Sequence, residues 1–322
     1  MMPRIILDAE AKTSDKHGSP PSQRSIDELL SSGYLVMDKP AGPSSHQASA
    51  WARDILGIDK LGHGGTLDPF ATGVIVLLAG QAMRLTSKVL AHDKQYICVF
   101  RSSEDIDSEA FAEALSTQIG DVYNVPPKES AVKIQVRSRK VSSAYVLDIS
   151  GRDAVVEVSC ESGTYIRTMA RDIGLLLGNP VVLKELRRSR SGRFTEDNSV
   201  SLQEIADAFW LWREHGEEVA LRRILTPVES LVKDMPSIVV KDGGAAAMAH
   251  GAPLLRPGIA SLDSGLAAGD TVAIFTLKGE IVATATMVCS SEEIAESKTG
   301  EAAKASAVFL DPEAYPKTWG KS

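Results

Sequence analysis

Residues 62–80 read GHGGTLDPFATGVIVLLAG, a glycine-rich segment that runs directly into an apolar one. The glycine-rich part is unsuited to the interior of a helix or a strand, which predicts a shaped loop. The apolar part, GVIVLLAG at 73–80, has the length of a buried strand. Within the loop, Pro69 restricts Asp68 to extended conformations. The segment therefore predicts a carboxylate presented on a rigid turn, although an ordinary Asp-Pro turn between two elements has the same local pattern.

Strands and helices alternate irregularly on both sides of this segment. We predict strands at 34–39, 73–80, 95–101, 145–149 and 154–160 and helices at 46–56, 81–90 and 108–118. Residues 164–177 are predicted to combine the end of a strand with an amphipathic helix. Several strands follow one another without a helix between them, which predicts a mixed sheet of the α+β class rather than a parallel barrel. Residues 1–31 are polar, and ordered structure is expected to begin at Tyr34.

Length and composition predict a two-domain protein that stays in the cytoplasm. The chain has 322 residues, against a typical domain size of about 150. No apolar run reaches the roughly 18 residues of a membrane span, and the N-terminal residues lack a secretory pattern. Cys98, Cys160 and Cys289 are far apart, which argues against a disulfide framework or a zinc site. No motif indicates a metal or redox cofactor, so we expect none.

The distribution of charge says more about partners than the net charge of −7 does. Residues 121–193 carry 13 Lys and Arg against 8 Asp and Glu, whereas residues 195–234 carry 4 against 9. The basic stretch suits an anionic polymer such as nucleic acid. The acidic stretch keeps the protein soluble or meets basic partners.

The composition changes near residues 234–236, which indicates a domain boundary. Residues 242–250 are rich in alanine and predict a helix, and residues 270–287 predict a hairpin that turns at Lys278-Gly279. A module of about 80 residues dominated by short strands is typical of a small β-barrel.

Two further segments carry residues suited to RNA chemistry. In ESGTYIRTMAR, at 161–171, Tyr165 and Arg167 would share one face of an extended chain. An aromatic ring beside a guanidinium can stack on a base and hold a carboxylate, but the local pattern alone favours an ordinary half-buried tyrosine and an exposed arginine.

The segment LKELRRSRSGR, at 183–193, concentrates arginines that include Arg187, Arg188 and Arg190. Such a cluster predicts contact with a phosphate backbone, with a solvated charged edge as the alternative.

These segments together resemble the TruB-type RNA pseudouridine synthases. The resemblance is carried, in order, by DKPAGPSSH, GHGGTLDPFATGV, KQYICVF, VPPKESAVK, CESGTYIRT and ELRRSRSG. The later stretches DGGAAAMAHGAPLLRPGI and TLKGEIVA resemble a PUA domain of the archaeal-type branch, which is close to dyskerin. The resemblance implies a pseudouridine synthase fold with a central mixed, mostly antiparallel sheet and flanking helices, plus a small β-barrel PUA domain. It implies a catalytic domain over 33–233 and a PUA domain over 236–318. The N-terminal extension over 1–32 is expected to pack in part on the PUA domain, because its segment IILDAE can add an edge strand.

The resemblance also assigns roles to individual residues. Asp68 falls on the essential aspartate of the family, and Arg167 on the arginine that pairs with it. The substrate-binding residues are Tyr96, which stacks on the target base, Tyr165, the apolar pocket residue Leu186, and His46. The supporting residues of the catalytic loop are Lys39, Pro40, His63, Gly65 and Thr66, and the RNA-backbone residues are Arg187, Arg188 and Arg190.

The implied activity is isomerisation of uridine to pseudouridine in RNA, without a cofactor. The implied partners are RNA, either tRNA modified at uridine 55 or a guide RNA with an rRNA substrate, and the small proteins of box H/ACA ribonucleoproteins. No membrane is involved. A non-catalytic RNA-binding scaffold with the same fold is one alternative, and a small-molecule α/β enzyme with an accidental set of motifs is another. The presence of both Asp68 and Arg167 counts against the scaffold.

Overall fold

The computed structural model describes residues 3–125 and 136–316. The VPPKESAVK segment beyond Val125 and the end of the predicted PUA range lie outside the described residues. The chain divides into two compact units. We call Leu35–Leu78 with Leu85–Ile224 the central unit, and Met1–Tyr34, Ala79–Arg84 and Leu225–Ser322 the terminal unit.

The strands, in chain order, are β1 Arg4–Ile6, β2 Gly33–Lys39, β3 Leu61–His63, β4 Thr72–Ala79, β5 Lys94–Ser102, β6 Gly120–Asn124, β7 Arg137–Ser150, β8 Asp153–Cys160, β9 Val181–Ser191, β10 Phe194–Thr195, β11 Thr226–Pro227, β12 Ser237–Val240, β13 Leu254–Leu255, β14 Ile259–Asp263, β15 Thr271–Thr276, β16 Ile281–Met287 and β17 Glu301–Val308.

The α-helices are α1 Ile26–Ser32, α2 Ser45–Ile55, α3 Thr86–Leu90, α4 Ser108–Ser116, α5 Ile166–Leu177, α6 Leu202–His215, α7 Val219–Ile224, α8 Asp242–Ala249 and α9 Ser291–Glu296. Short 3₁₀ helices occur at Pro21–Gln23, Gly80–Leu85, Glu196–Asn198, Val228–Val232 and Arg256–Gly258. None of the helices in the described part of the chain is both long enough and apolar enough to cross a membrane.

The central unit is built on one mixed sheet. Its strand order is β2-β4-β9-β5-β8-β7-β6, with β3 beside β4 and β10 beside β9. Strands β4 and β9 are parallel, whereas β5, β7 and β8 pair with their neighbours in the antiparallel sense. The predicted α+β class, with a mixed and mostly antiparallel sheet, is confirmed.

One face of this sheet is buried under helices. Strand β5 alternates between buried and half-buried positions, and its buried residues include Cys98 and Phe100. They belong to an apolar cluster with Phe111 of α4 and with Met169 and Ile173 of α5. Because alternate strand residues face opposite sides, this pattern fixes which face of β5 carries the two helices. The packing holds α5 against the sheet.

The structure differs from the sequence prediction at three places. Ordered structure does not begin at Tyr34, because β1 and α1 precede it and α1 starts at a capping box between Ser25 and Glu28. The sequence analysis assigns no element to the segment 183–193, and most of it belongs to β9, a central strand of the sheet. The expected helix over 81–90 is a 3₁₀ helix followed by α3.

The terminal unit carries a seven-stranded sheet with the order β1-β14-β12-β15-β16-β17-β13. Strands β15 and β16 form the predicted hairpin, and Gly279 adopts a φ of 83° at its turn. The N-terminal residues contact this sheet, because β1 pairs with β14 and the Lys278 ammonium donates to the carbonyls of Ser14, His17 and Gly18.

Candidate active site

Asp68 lies on the loop between β3 and β4, in the central unit. The backbone N–H of Ala71 donates to the carbonyl of Asp68 at 3.1 Å, and that of Gly42 donates to the carbonyl of Pro69 at 2.8 Å. These bonds close a turn directly after the carboxylate. The Asp68 side chain keeps 38% of its surface exposed. The loop therefore presents the carboxylate to solvent from a hydrogen-bonded backbone.

Arg167 meets this carboxylate from helix α5. Its Nη2 lies 2.7 Å from Oδ2 of Asp68. The guanidinium carbon also lies 5.4 Å from the centre of the Phe70 ring, within the range of a cation–π contact. Asp68 and Phe70 are two residues apart, so one arginine contacts the loop at two points. The structure brings together the two residues that the sequence predicts as a pair.

The start of α5 determines where Arg167 stands. Tyr165 is the N-cap residue with an extended backbone, and Arg167 is the second residue of the helix. We predicted an extended chain with Tyr165 and Arg167 on one face. In the structure only Tyr165 has an extended backbone, and Arg167 lies in the first turn of α5. The Tyr165 N–H donates to Oδ1 of Asn124 at 3.1 Å, and Asn124 is buried. Asn124 was not predicted, because no local pattern links it to the start of α5.

Tyr96 and Leu186 form the apolar side of the site. Each is 8% exposed, and both belong to the core cluster that contains Leu67 and Ile166. Leu67 precedes Asp68, and Ile166 precedes Arg167, so the cluster lies beside the ion pair. Burial raises the pKa of Tyr96 above its ordinary value.

Lys39 binds the backbone next to Asp68 through its ammonium group. The side chain is fully buried, and Nζ donates to the carbonyl oxygens of Pro40, Pro69 and Ala71 at 2.8, 3.2 and 2.8 Å. Burial lowers the pKa of Lys39, and the negative charge of Asp68 opposes this effect. The ammonium can donate three hydrogen bonds, and here all three stabilise the backbone around the turn after Asp68.

Ser45 binds the backbone of Leu67, the residue before Asp68. The sequence analysis did not predict this contact. The Leu67 N–H donates to Oγ of Ser45 at 2.7 Å, and this hydroxyl donates to the Leu67 carbonyl at 3.0 Å. Ser45 lies in the first turn of α2, next to the N-cap residue Ser44. The pattern at 44–45 indicates a cap, and nothing local indicates the distant partner.

The remaining predicted residues lie around the same loop. His46 is exposed in the first turn of α2, whereas His63 is half-buried at the end of β3. Burial lowers the pKa of His63, and the electrostatic interaction with Arg188 adds to this effect. Gly65 has a φ of 131°, which favours glycine, and Thr66 is exposed.

The arginine cluster of β9 does not act as one basic surface. Arg188 is 1% exposed, so the prediction that it contacts an RNA backbone is wrong. The physical reason is that its guanidinium points into the sheet and bonds to main-chain carbonyls. Arg187 is paired with Asp38 at 2.9 Å and with Glu196. Arg190 is half-buried, and its Nη1 donates to the carbonyl of Gly192 at 3.1 Å.

Lys94 is a second buried cation near Tyr96, which lies on the same strand. It is 3% exposed, and Nζ donates to the carbonyl of His92 at 2.7 Å. Burial lowers the pKa of Lys94 to about 8, and the positive charge of Arg188 adds to the effect. Between about pH 8 and the ordinary value of 10.5, the unfolded chain therefore binds more protons than the folded one.

Stability is consequently expected to rise with pH across this window. We expect the wild-type chain to gain on the order of 3 kcal/mol relative to Lys94→Met between about pH 8 and pH 10.5. The measurement is urea unfolding of both chains at several pH values. The exposed Lys88, changed to Met, is the matched control, and its difference from wild type should not depend on pH. A pH-independent difference for Lys94→Met would contradict the assignment.

No group of three or more His, Cys, Asp or Glu side chains within residues 3–125 and 136–316 is arranged to hold a metal ion.

Four family models match the sequence along its length. They are a DKCLD (NUC011) domain at residues 2–49, the TruB family pseudouridylate synthase N-terminal domain at 53–166, the tRNA pseudouridylate synthase B C-terminal domain at 167–233, and a PUA domain at 236–309.

Curated proteins and solved structures match over the whole length. A probable tRNA pseudouridine synthase B of Methanothermobacter thermautotrophicus is 40% identical over 319 residues, which are 99% of this chain and 98% of the relative. The Nanoarchaeum equitans protein of the same description is 42% identical over 315 residues, with 98% and 90% covered.

Among solved structures, a chain of an H/ACA RNP bound to a substrate RNA containing 2′-deoxyuridine superposes with a TM-score of 0.86 at 36% identity, with 99% of this chain and 98% of that chain covered. A chain of the archaeal box H/ACA sRNP Nop10-Cbf5 complex gives 0.85 at 37% identity, with 99% of both chains covered.

Proposed function

The chain belongs to the TruB family of pseudouridylate synthases and is an RNA pseudouridine synthase, and we propose that Asp68 is the carboxylate that performs its reaction. The isomerisation breaks the N1–C1′ bond of a uridine and forms a C5–C1′ bond on the same base. C5 gives up its proton and N1 gains one, so atoms balance without a co-reactant. The observation that supports this role is the contact between Oδ2 of Asp68 and Arg167 at 2.7 Å, beside an apolar cluster.

The proposed chemistry needs an ionised, oriented carboxylate. As a nucleophile it attacks C1′, and as a general base it removes the 2′ proton; both routes use the anion. A planar guanidinium fixes the orientation of a carboxylate better than an ammonium does. Arg167 is therefore proposed to aim Asp68 at the sugar while complementing its charge.

The nucleotide must leave its RNA stack before the sugar can reach Asp68. Extruding a base costs a few kcal/mol, and stacking on an aromatic ring returns about 1–3 kcal/mol. We assign this contact to Tyr96, with Tyr165 and Leu186 beside it, because Tyr96 and Leu186 border the ion pair on its apolar side. A confined pocket also keeps the detached uracil in place until the new bond forms.

The other predicted residues are proposed to hold the loop or its surroundings. Lys39 and Pro40 support the turn after Asp68 through the Lys39 ammonium. Gly65 and Thr66 form the backbone that leads to Asp68, and His63 ends the strand before it. The other predicted histidine, His46, is exposed at the start of α2, where we propose that it contacts the substrate.

RNA is the proposed macromolecular partner. The relatives are described as probable tRNA pseudouridine synthases, and the matched structures are an H/ACA RNP with substrate RNA and a Nop10-Cbf5 complex. We propose a catalytic domain at 33–233, an RNA-binding PUA domain at 236–318 with residues 1–32 packed on it, and substrates that are tRNA, guide-directed rRNA sites, or both. Small H/ACA proteins are proposed partners, and Arg187 and Arg190 remain proposed RNA-backbone contacts.

A cytoplasmic location is part of the same proposal. Cys98 and Cys160 are buried free thiols, and Cys289 is free as well. Unpaired cysteines are typical of a reducing compartment.

The direct test is modification of RNA by the purified chain. We expect pseudouridine at a defined uridine when the chain is incubated with a tRNA transcript, or with guide RNA, substrate RNA and the small H/ACA proteins. Product with tRNA alone would assign stand-alone activity. Product only with guide and proteins would assign a ribonucleoprotein subunit. The absence of pseudouridine from every mixture would contradict the proposed function.

A further inference from the structure

Arg188 is the largest fully buried side chain among the described residues. It lies on β9 between β4 and β5, where its Cα partners are Gly73 and Tyr96. A Cβ atom at Gly73 would lie 2.3 Å from the Arg188 carbonyl oxygen, so the two strands approach closely. Burying a cation is costly unless its donors are satisfied, so an interior arginine needs a reason.

The guanidinium is held by main-chain carbonyls from one neighbouring segment. Nε donates to the carbonyl of Val74 at 2.7 Å, Nη1 to that of Thr66 at 3.4 Å, and Nη2 to that of Gly65 at 3.3 Å. One planar group therefore joins strand β4 to the two loop residues Gly65 and Thr66, which lie shortly before Asp68. A lysine ammonium would supply charge but not this fixed fork of donors.

The partners of Arg188 complement those of Lys39. Arg188 bonds to carbonyls at residues 65 and 66, and Lys39 bonds to carbonyls at residues 69 and 71. Asp68 lies between these two sets and carries the single charged side chain of residues 65–71. Two buried cations thus hold the backbone on both sides of the carboxylate.

Arg188 also lies near the proposed stacking residue. Its positive charge opposes the rise in the pKa of Tyr96 that burial causes. The Arg188 side chain therefore bonds to the loop of Asp68 and also lowers the pKa of the Tyr96 phenol.

From these contacts we propose that Arg188 is a positioning residue for the isomerisation, and that it acts by fixing the backbone of Gly65 and Thr66 so that Asp68 stands at the sugar. This inference rests on the proposed role of Asp68. Positioning matters because a displacement of about 1 Å at a reacting group can reduce a rate about 100-fold. Because Arg188 is 1% exposed, its removal should affect the chemical step and not the binding of RNA.

The test separates the chemical step from RNA binding. The variants are Arg188→Lys and Arg188→Met, with Arg171→Lys as the matched control, because the exposed Arg171 of α5 pairs only with its neighbour Asp172 among the ion pairs of the described residues. RNA labelled as [5-³H]uridine releases tritium when C5 bonds to C1′, so single-turnover release at saturating protein reports the reaction. RNA affinity is measured by titration at several salt concentrations.

We expect Arg188→Lys to lower the saturated single-turnover rate about 10- to 100-fold, with the Kd for RNA and its salt dependence unchanged. A phosphate contact would instead raise the Kd and lower the salt slope by about 1, with the saturated rate unchanged. That result would overturn the proposal. The control should match wild type in all measurements.

Thermal unfolding identifies the temperature at which each variant is folded, so Arg188→Lys remains informative if Arg188→Met does not fold. A folded Arg188→Lys chain with a lower Tm and a wild-type saturated rate would show a merely structural role and would overturn the proposal. If wild type itself releases no tritium from any RNA, the proposed function fails. If wild type and Arg188→Lys release it equally fast, only the positioning inference fails.

Discussion

Asp68→Asn is expected to lower the rate of tritium release from [5-³H]uridine RNA by about a thousandfold or more. Asparagine has nearly the shape of aspartate, but its amide is neither a nucleophile towards C1′ nor a base for the 2′ proton. Arg167 would still meet an oxygen in this position, so the loop should keep its conformation. The measurement is single-turnover release with saturating protein, together with the Kd for the same RNA.

The matched control for this change is Asp172→Asn. Asp172 also accepts from an arginine, at 2.8 Å from Nη2 of Arg171, and it lies on the helix that carries Arg167. Loss of this pair should leave the rate unchanged, because the exposed Arg171 and the half-buried Asp172 are not among the residues assigned to the proposed chemistry. Near-normal turnover by Asp68→Asn, with the product mapped to the same uridine, would exclude the proposed role of Asp68.

Local patterns identify the loop and its strand well. The glycines before Asp68 and the apolar run after it predict a loop followed by a buried strand, and the structure has β4 at Thr72–Ala79. A glycine-rich segment rarely forms the interior of a helix or a strand, and an eight-residue apolar run is typical of a buried strand. The composition of each segment is therefore enough to predict its structure. The pair of Asp68 and Arg167 was expected from the resemblance to the family.

Contacts between distant segments could not be predicted in the same way. Arg188 occurs in a cluster of arginines, and such a cluster ordinarily lies in solvent. Its burial depends on carbonyls at residues 65, 66 and 74, which only the sheet brings near. Ser45 and Asn124 are similar cases, since each bonds to a main-chain group far away in sequence. Local propensity carries no information about such partners, because the tertiary fold alone brings them together.

Lys39→Met is expected to lower the free energy of unfolding by about 3 kcal/mol. Methionine fills a similar volume. Removing the charge also removes the energetic cost of burying the ammonium, which is the cost that lowers the pKa of Lys39. The larger effect is the loss of donors, because the carbonyls of Pro40, Pro69 and Ala71 would lose the ammonium that bonds to them. Losing a charged partner from buried acceptors outweighs the relief of burying one cation.

The same substitution should also slow tritium release at temperatures where the variant is folded. Two of the bonded carbonyls follow Asp68 within three residues, so their release would let the carboxylate move relative to Arg167. Urea unfolding measures the first effect and single-turnover release the second, with the exposed Lys60 changed to Met as the control. Equal stability of Lys39→Met and wild type would mean that the carbonyls find other donors. A normal rate in a destabilised variant would mean that the turn after Asp68 is held by its own backbone bonds, and that the ammonium contributes to the fold alone.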